Sequence, residues 1–468
     1  MRFSALVGLS VLVIAPTAHA GRTLFGKPVY EPPTPSEAEY ARRKAEFEDG
    51  LAAKGLVLEG DRIVPRLDLR AEPDPSYVWE DPPHYATIFL NFFGGELSSG
   101  TNAAAMQAGC VNGLPIQYPG FGGTEAFALT VIQVFQNAMA PYAVRIAFEE
   151  APPSHLPYSM VMMGGTPQDV GMSPGILGVS CSSDCGDQWW RDTTFAFTEE
   201  SSSSLTLGNT ALQEAAHAFG LDHIDGNDNI MYPYATSGEK VWAASCTPYN
   251  DATGGISCTY VHDEFCGEDA GMQNDDAELL AYFGPNEPDI VAPTVNILEP
   301  EDGAEYPAPA DVSVAVEVTD DHDGAGWRLV ITPEGGDPQI ADAIQFETSW
   351  NLGDLPQGVY TIRVEAIDHD RNEGADEVTV YVGEDAPETT GAADSSGGDP
   401  DTGGNVSAGT DDGDEDDDDN DGSGGPMQDD DGGPSDRGCT CGVRDASLPP
   451  FGAGMMIVLA GLRRRRGR

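Results

Sequence analysis

The stretch that most restricts the fold of this chain is residues 213–223, QEAAHAFGLDH. Side chains four apart on an α-helix share a face, so Gln213 and His217 point into one site. Glu214 sits one residue further round, close to that site without lying on its axis. Gly220 lets the chain leave the helix and turn sharply, and the return brings His223 back toward His217. Eight residues after His223 comes Met231, within DNIMYPY. Converging imidazoles are metal donors. A catalytic zinc takes three protein ligands and keeps one position open, and a carboxylate placed like Glu214 can serve as general base toward water at the metal.

A histidine in place of Gln213 would complete the pattern H-E-x-x-H-x-x-G-x-x-H. Together with Met231 in M-Y-P, the stretch resembles the zinc site of the metzincin clan of metallopeptidases, closest to the matrixin type. The specific part of the resemblance is 213–233; the size and element order of 84–285 extend it to about 200 residues. It implies zinc held by His217, His223 and Gln213, with Glu214 as general base and Met231 as the Met-turn beneath the metal. It also implies a protein or peptide substrate laid as an added β-strand along GILGVS, residues 175–180. Gln213 departs from the pattern, because a glutamine carbonyl is a hard, weak oxygen donor. Three outcomes are open. Gln213 coordinates through Oε1; another group replaces it, the candidates being Asp222, Asp225, His155 and His262; or no catalytic zinc is held and the domain is a degenerate protease. Neither packing nor helix formation asks for a carboxylate at 214, which favours a working site. The expected function is an exported cell-surface zinc metalloendopeptidase that hydrolyses peptide bonds with zinc-activated water. The alternative is a catalytically inactive surface binding or adhesion protein of the same descent.

Both ends of the chain carry addresses. Residues 1–20 combine Arg2, an apolar run and a small-x-small site at Ala18–Ala20, the pattern of a secretory signal peptide. Export makes disulfides the expected state of Cys110, Cys181, Cys185, Cys246, Cys258 and Cys266, with up to three bridges. Cys181 with Cys185 would close one tight loop, and Cys258 with Cys266 or Cys246 another. Residues 438–468 hold the pair Cys439 and Cys441, a short apolar stretch over 448–462 and the block Arg463–Arg466. This tail resembles the C-terminal sorting signals of myxobacterial exported proteins, which implies transient residence in the membrane and delivery to the cell surface.

The rest of the chain divides by composition. Residues 21–83 hold a Pro-rich start, a charged helix over 36–54 capped by Ser36, and a short hairpin in LVLEGDRIVPRLDL. This segment is an N-terminal extension or a propeptide, and no cysteine is available in it to block zinc. Residues 84–285 read as strand, helix, strands, helix, loop, helix. The expectation is an α+β metzincin-like domain, a mixed sheet carrying the zinc-site helix. Residues 286–383 are short alternating runs between Gly, Pro and Asp, an all-β sandwich. They resemble the Ig-like modules of bacterial surface proteins, with Tyr360 as a tyrosine corner. Two of the loops, TDDHDG and IDHDRNEG, are rich in aspartate. Residues 384–437 are an acidic linker without lysine or arginine up to Asp436, expected to be disordered. The formal net charge of −55 excludes nucleic acid and anionic membrane surfaces as partners, and favours cations and basic peptides.

Overall fold

In the computed structural model, the described residues are 22–66, 83–182, 185, 192–342, 348–384 and 386. The expected signal peptide, nearly all of the acidic linker, Cys439, Cys441 and the arginine-rich tail lie outside them. Among the described residues no helix is long and apolar enough to cross a membrane.

The first half of the chain is a mixed α/β unit. The charged helix expected over 36–54 is α1, Glu37–Ala53, and Ser36 caps it by accepting from Glu39 N. Two short strands follow, β1 (Leu56–Glu59) and β2 (Arg62–Pro65), the expected hairpin. Next come β3 (Ala86–Asn91), α2 (Glu125–Met139), β4 (Val144–Ala147), β5 (Ser159–Gly164), β6 (Gly178–Ser180) and β7 (Thr193–Phe197). The helices α3 (Ser204–Phe219), α4 (Thr259–Cys266) and α5 (Asp275–Phe283) complete the unit. The seven strands form one sheet in the order β1-β2-β6-β7-β5-β3-β4. Strands β4, β3, β5 and β7 run parallel to their neighbours, while β6 is antiparallel to β7. The hairpin of the N-terminal extension is therefore part of the sheet: β2 lies alongside β6 in the parallel sense, with Arg62 opposite Ser180.

Period-two alternation explains why both faces of this sheet are covered. Along β5, Met160 and Met162 face one core with Phe89, Phe195 and Phe197, while Val161 and Met163 face the other with Ile88, Leu90 and Ala196. The second face receives α2 through Val131, Ile132 and Phe135, and α3 through Leu212, Ala216 and Phe219. The first receives α1 through Phe47 and Leu51. Each fully buried large side chain here contributes about 1.5–3 kcal/mol.

Three disulfides join Cys110 to Cys181, Cys185 to Cys258 and Cys246 to Cys266. The expected number holds, but the expected short loops do not form. Cys181 lies in the same core cluster as Cys110, on one side of the sheet. Cys185 lies with Cys258 in the cluster on the other side, so two cysteines four apart serve opposite cores. Cys258 likewise takes neither Cys246 nor Cys266.

Residues 294–382 form a two-sheet β-sandwich. Its strands are β8 (Thr294–Glu299), β9 (Ala304–Tyr306), β10 (Ala310–Thr319), β11 (Gly326–Pro333), β12 (Gln339–Asp342), β13 (Ser349–Leu355), β14 (Gly358–Ile367) and β15 (Glu373–Val382). One sheet is β8-β10-β13 and the other β9-β15-β14-β11-β12. Val312, Val314 and Val316 of β10 pack with Leu329, Ile362, Val364 and Val380 in one apolar core. The Tyr360 hydroxyl donates 2.8 Å to Pro356 O, four residues upstream, the geometry of a tyrosine corner.

Candidate functional site

Helix α3 begins where Ser203 accepts from Thr206 N and ends at Gly220, whose φ of 108° is left-handed. A side chain there would be strained, so glycine is what permits the turn. Leu221 N then donates 3.0 Å to Ala216 O, and the chain doubles back. His217 and His223 become fully buried with Nε2 atoms 3.1 Å apart. His217 Nδ1 lies 2.7 Å from Leu221 O. A carbonyl only accepts, so Nδ1 carries the proton and Nε2 presents its lone pair toward His223 and Asp61. His223 Nδ1 is 3.2 Å from Thr253 Oγ1, which orients the second ring. Met231 is buried, and its carbonyl accepts from Ile224 N, fixing the loop that returns after His223.

The group facing both imidazoles is Asp61, at the turn of the β1–β2 hairpin. Its Oδ1 lies 3.4 Å from His223 Nε2 and 3.8 Å from His217 Nε2. This oxygen is buried against the two rings. Burial pushes the Asp61 carboxyl up, but His223, His217 and Arg62 outweigh it and hold the group at about 2. Asp61, His217 and His223 thus form a three-ligand group able to hold a metal ion. Asp61 O accepts 2.9 Å from Ser180 N, so one residue is tied both to the histidine pair and to strand β6.

The remaining expected site residues fall as follows. Gln213 donates Nε2 to Tyr232 O at 3.2 Å, and the third member of the cluster comes from the hairpin rather than from α3. Glu214 is fully buried beneath β6. Burial, and next the Asp61 charge, push its carboxyl well above the usual range, against Arg62 and the Ser180 N–H. Its Oε2 has no hydrogen bond. A Cβ at Gly178 would stand 2.5 Å from Glu214 Oε1 and 2.7 Å from Phe195 O, so glycine is required above it. His217 is held well below the usual histidine range, first by burial and then by His223.

Asp222, His262 and Asp225, three of the four substitutes for Gln213, are engaged elsewhere. Asp222 pairs with Arg62, accepts from Ser257 N and Cys258 N, and lies 3.1 Å from His262 Nε2. His262 in turn meets Glu278 at 2.8 Å. Asp225 Oδ1 accepts from Asn250 Nδ2. The His155 carbonyl backs onto Gly326 of the sandwich. Arg62 also donates to Gly255 O, so adjacent hairpin residues insert one charge beside the histidines and another into the Asp222 network. Sequence reading missed Asp61, Arg62 and Thr253. The only signal at 60–61 is a Gly-Asp pair between two alternating runs, which reads equally as a plain turn.

The expected substrate strand along 175–180 has an occupant from the same chain. Strand β2 is hydrogen-bonded to β6 on the side away from β7.

No family model matches the chain, and no curated protein matches it. Solved structures show limited likeness. Fibronectin(III)-like modules of Clostridium thermocellum CbhA are 15% identical over 19% of this chain and 93% of theirs, with a TM-score of 0.16. The PKD domain of human KIAA0319 is 19% identical over 21% of this chain and 88% of its own, with a TM-score of 0.16. A Cellulomonas fimi endo-beta-1,4-mannanase double mutant is 14% identical over 48% of this chain and 53% of its own, with a TM-score of 0.14.

Proposed function

We propose that this chain is an exported zinc-dependent peptidase in a latent form, its cleft closed by its own N-terminal hairpin. One observation carries the reading. The buried Asp61 Oδ1 stands 3.4 Å and 3.8 Å from two imidazole nitrogens that are 3.1 Å apart. Tetrahedral zinc with bonds of about 2.0–2.1 Å spaces its ligands about 3.3–3.4 Å from one another. The three atoms approximate one face of that tetrahedron. Two histidines with one carboxylate are also an established donor set for catalytic zinc, while calcium and magnesium prefer oxygen alone.

In the closed form His217, His223 and Asp61 would hold the zinc. Bound there, zinc supplies Lewis acidity and lowers the pKa of a coordinated water to about 7. The chain's own residues do the rest. Leu221 O and Thr253 Oγ1 fix the rings. Burial and the Asp61 charge favour the protonated form of Glu214 while the hairpin is closed; with Asp61 gone and water admitted, Glu214 would ionise, take a proton from the attacking water and return it to the leaving amine. Once β2 leaves, taking Asp61 with it, His217 and His223 would keep the zinc with Gln213 as the remaining candidate ligand, and the free edge of β6 offers backbone donors and acceptors to a peptide substrate. The metzincin-like assignment of the α/β unit rests on its helix, glycine exit and returning histidine. The Ig-like assignment of the sandwich, a module presenting the site at the cell surface, rests on its two facing sheets and Tyr360 corner.

A second reading has its own support. Helix α3 and its exit contribute only His217 and His223 to the cluster, so a metal bridging to Asp61 would also act as a permanent staple of the hairpin in a non-catalytic binding protein. The test is the zinc-loaded chain with a protease site introduced between residues 66 and 83, cut and assayed on casein, with and without Asp61→Ala. The peptidase reading expects cleavage that appears after cutting and disappears with chelator or Glu214→Gln. Loss of zinc on cutting, with no cleavage of casein, would favour the staple. Absence of zinc from the uncut protein would sink both.

A further inference from the structure

We propose a calcium site formed by Asp289, Asp320 and Asp368 where the α/β unit meets the sandwich. One carboxylate oxygen from each lies within 4.8 Å of the others. Three points that close share a centre no more than about 2.8 Å from each, which small side-chain movements bring to the 2.3–2.6 Å of calcium–oxygen bonds. The donors are all hard oxygens, the set that selects calcium over zinc or copper.

Crowded acids alone would not make a site, but two of these oxygens are orphaned. The Asp289 side chain is only 1% exposed, and its Oδ2 accepts no hydrogen bond. It faces His322 Nδ1 at 3.3 Å, an ion pair only when that ring is protonated and outside hydrogen-bond geometry. Asp320 Oδ2 is likewise buried without a partner. The other oxygens are used: Asp289 Oδ1 accepts from Val291 N, Asp320 Oδ1 from Asp321 N, and both oxygens of Asp368 from Asn372. Those bonds set the three side chains in place. Among the described residues no lysine or arginine pairs with any of the three. Orphaned buried carboxylate oxygens cost several kcal/mol unless a cation or donor meets them, and a divalent ion answers both here.

The three residues belong to different parts of the chain. Asp289 lies in the connection between the two units, Asp320 follows β10, and Asp368 follows β14. Around them the units touch. The His322 ring lies tilted against Tyr85 with ring centres 4.2 Å apart. Tyr85 N donates to Asp323 O at 3.2 Å. Thr87 Oγ1 meets His369 Nδ1 at 2.9 Å. Arg145 pairs with Asp370, and Asp370 Oδ2 accepts 2.6 Å from Asp289 N. An ion at the three aspartates would therefore clamp the connection to both sandwich loops and stiffen the junction.

The test uses the full chain stripped with EGTA, then titrated with calcium or magnesium while thermal unfolding is followed. The wild type is expected to gain several degrees at saturating calcium and less with magnesium. Asp289→Asn and Asp320→Asn are each expected to abolish that gain. In EGTA the Asp320→Asn chain should be at least as stable as wild type, because one of three crowded charges is gone; this separates loss of binding from loss of folding. The acidic linker is present in all these chains and cancels from the comparison. No calcium response in a folded wild type, or an equal response in wild type and both variants, would overturn the site.

Discussion

The two imidazoles at the candidate centre are oriented by atoms that touch no metal. Leu221 O fixes the proton of His217 on Nδ1, and Thr253 Oγ1 meets Nδ1 of His223, so both rings turn Nε2 toward Asp61. Such outer contacts set ring orientation before any ligand arrives. A different buried acid gives a cleaner reading of how burial acts on this chain. Asp275 is fully buried, its oxygens accepting from Gln273 Nε2 and Ala243 N. Burial pushes its carboxyl up to about 7, outweighing those two donors, and Glu278 adds to the rise. Its folded-state pKa lies above the unfolded value of 3.8. The folded chain therefore holds the proton more tightly, and the resulting stability is present below pH 3.8 and lost as pH rises through about 7. Asp275→Asn cannot titrate. Its difference in stability from wild type should shift with pH between 4 and 7, at no more than about 1.4 kcal/mol per pH unit. Denaturant titrations across that window check it; a constant difference would contradict it.

At the scale of elements, the strands and helices of the α/β unit were legible where side-chain period and capping agree. Thr124 before α2, Ser203 before α3 and Asn274 before α5 each accept from the first turn; the strands at 86–91 and 193–197 are rich in β-forming residues, and that at 159–164 is a short buried apolar run. Helix α4 was not legible. Cys258 precedes it without a side-chain cap, and its ends are held by the bridges from Cys258 and Cys266. The pairing of cysteines was hidden for a related reason: it follows which side of the sheet each one faces, and spacing along the chain does not report that. The Cys246–Cys266 bridge spans 20 residues around α4. Replacing both by alanine should lower stability by about 3 kcal/mol through the loop entropy returned to the unfolded chain. Unfolding with denaturant under non-reducing conditions measures this, and a loss below about 1 kcal/mol would mean that α4 is held by its packing instead.

For the whole molecule, the candidate site is made by parts far apart in the sequence. His217 and His223 were legible because one helical turn and a glycine exit bring them together. Asp61 was not, because a hairpin reaches the histidines only after β2 has joined β6, and that pairing is a property of the assembled sheet. Metal affinity therefore reports on the assembly of hairpin and helix together. The most direct measurement is zinc affinity by competition with a chromophoric chelator, on the full-length chain and its Asp61→Asn and His217→Ala variants. The account predicts one zinc per chain and at least about a tenfold weakening in each variant, equivalent to 1.4 kcal/mol or more. Wild-type affinity in Asp61→Asn, or no zinc bound by a folded wild-type chain, would contradict it.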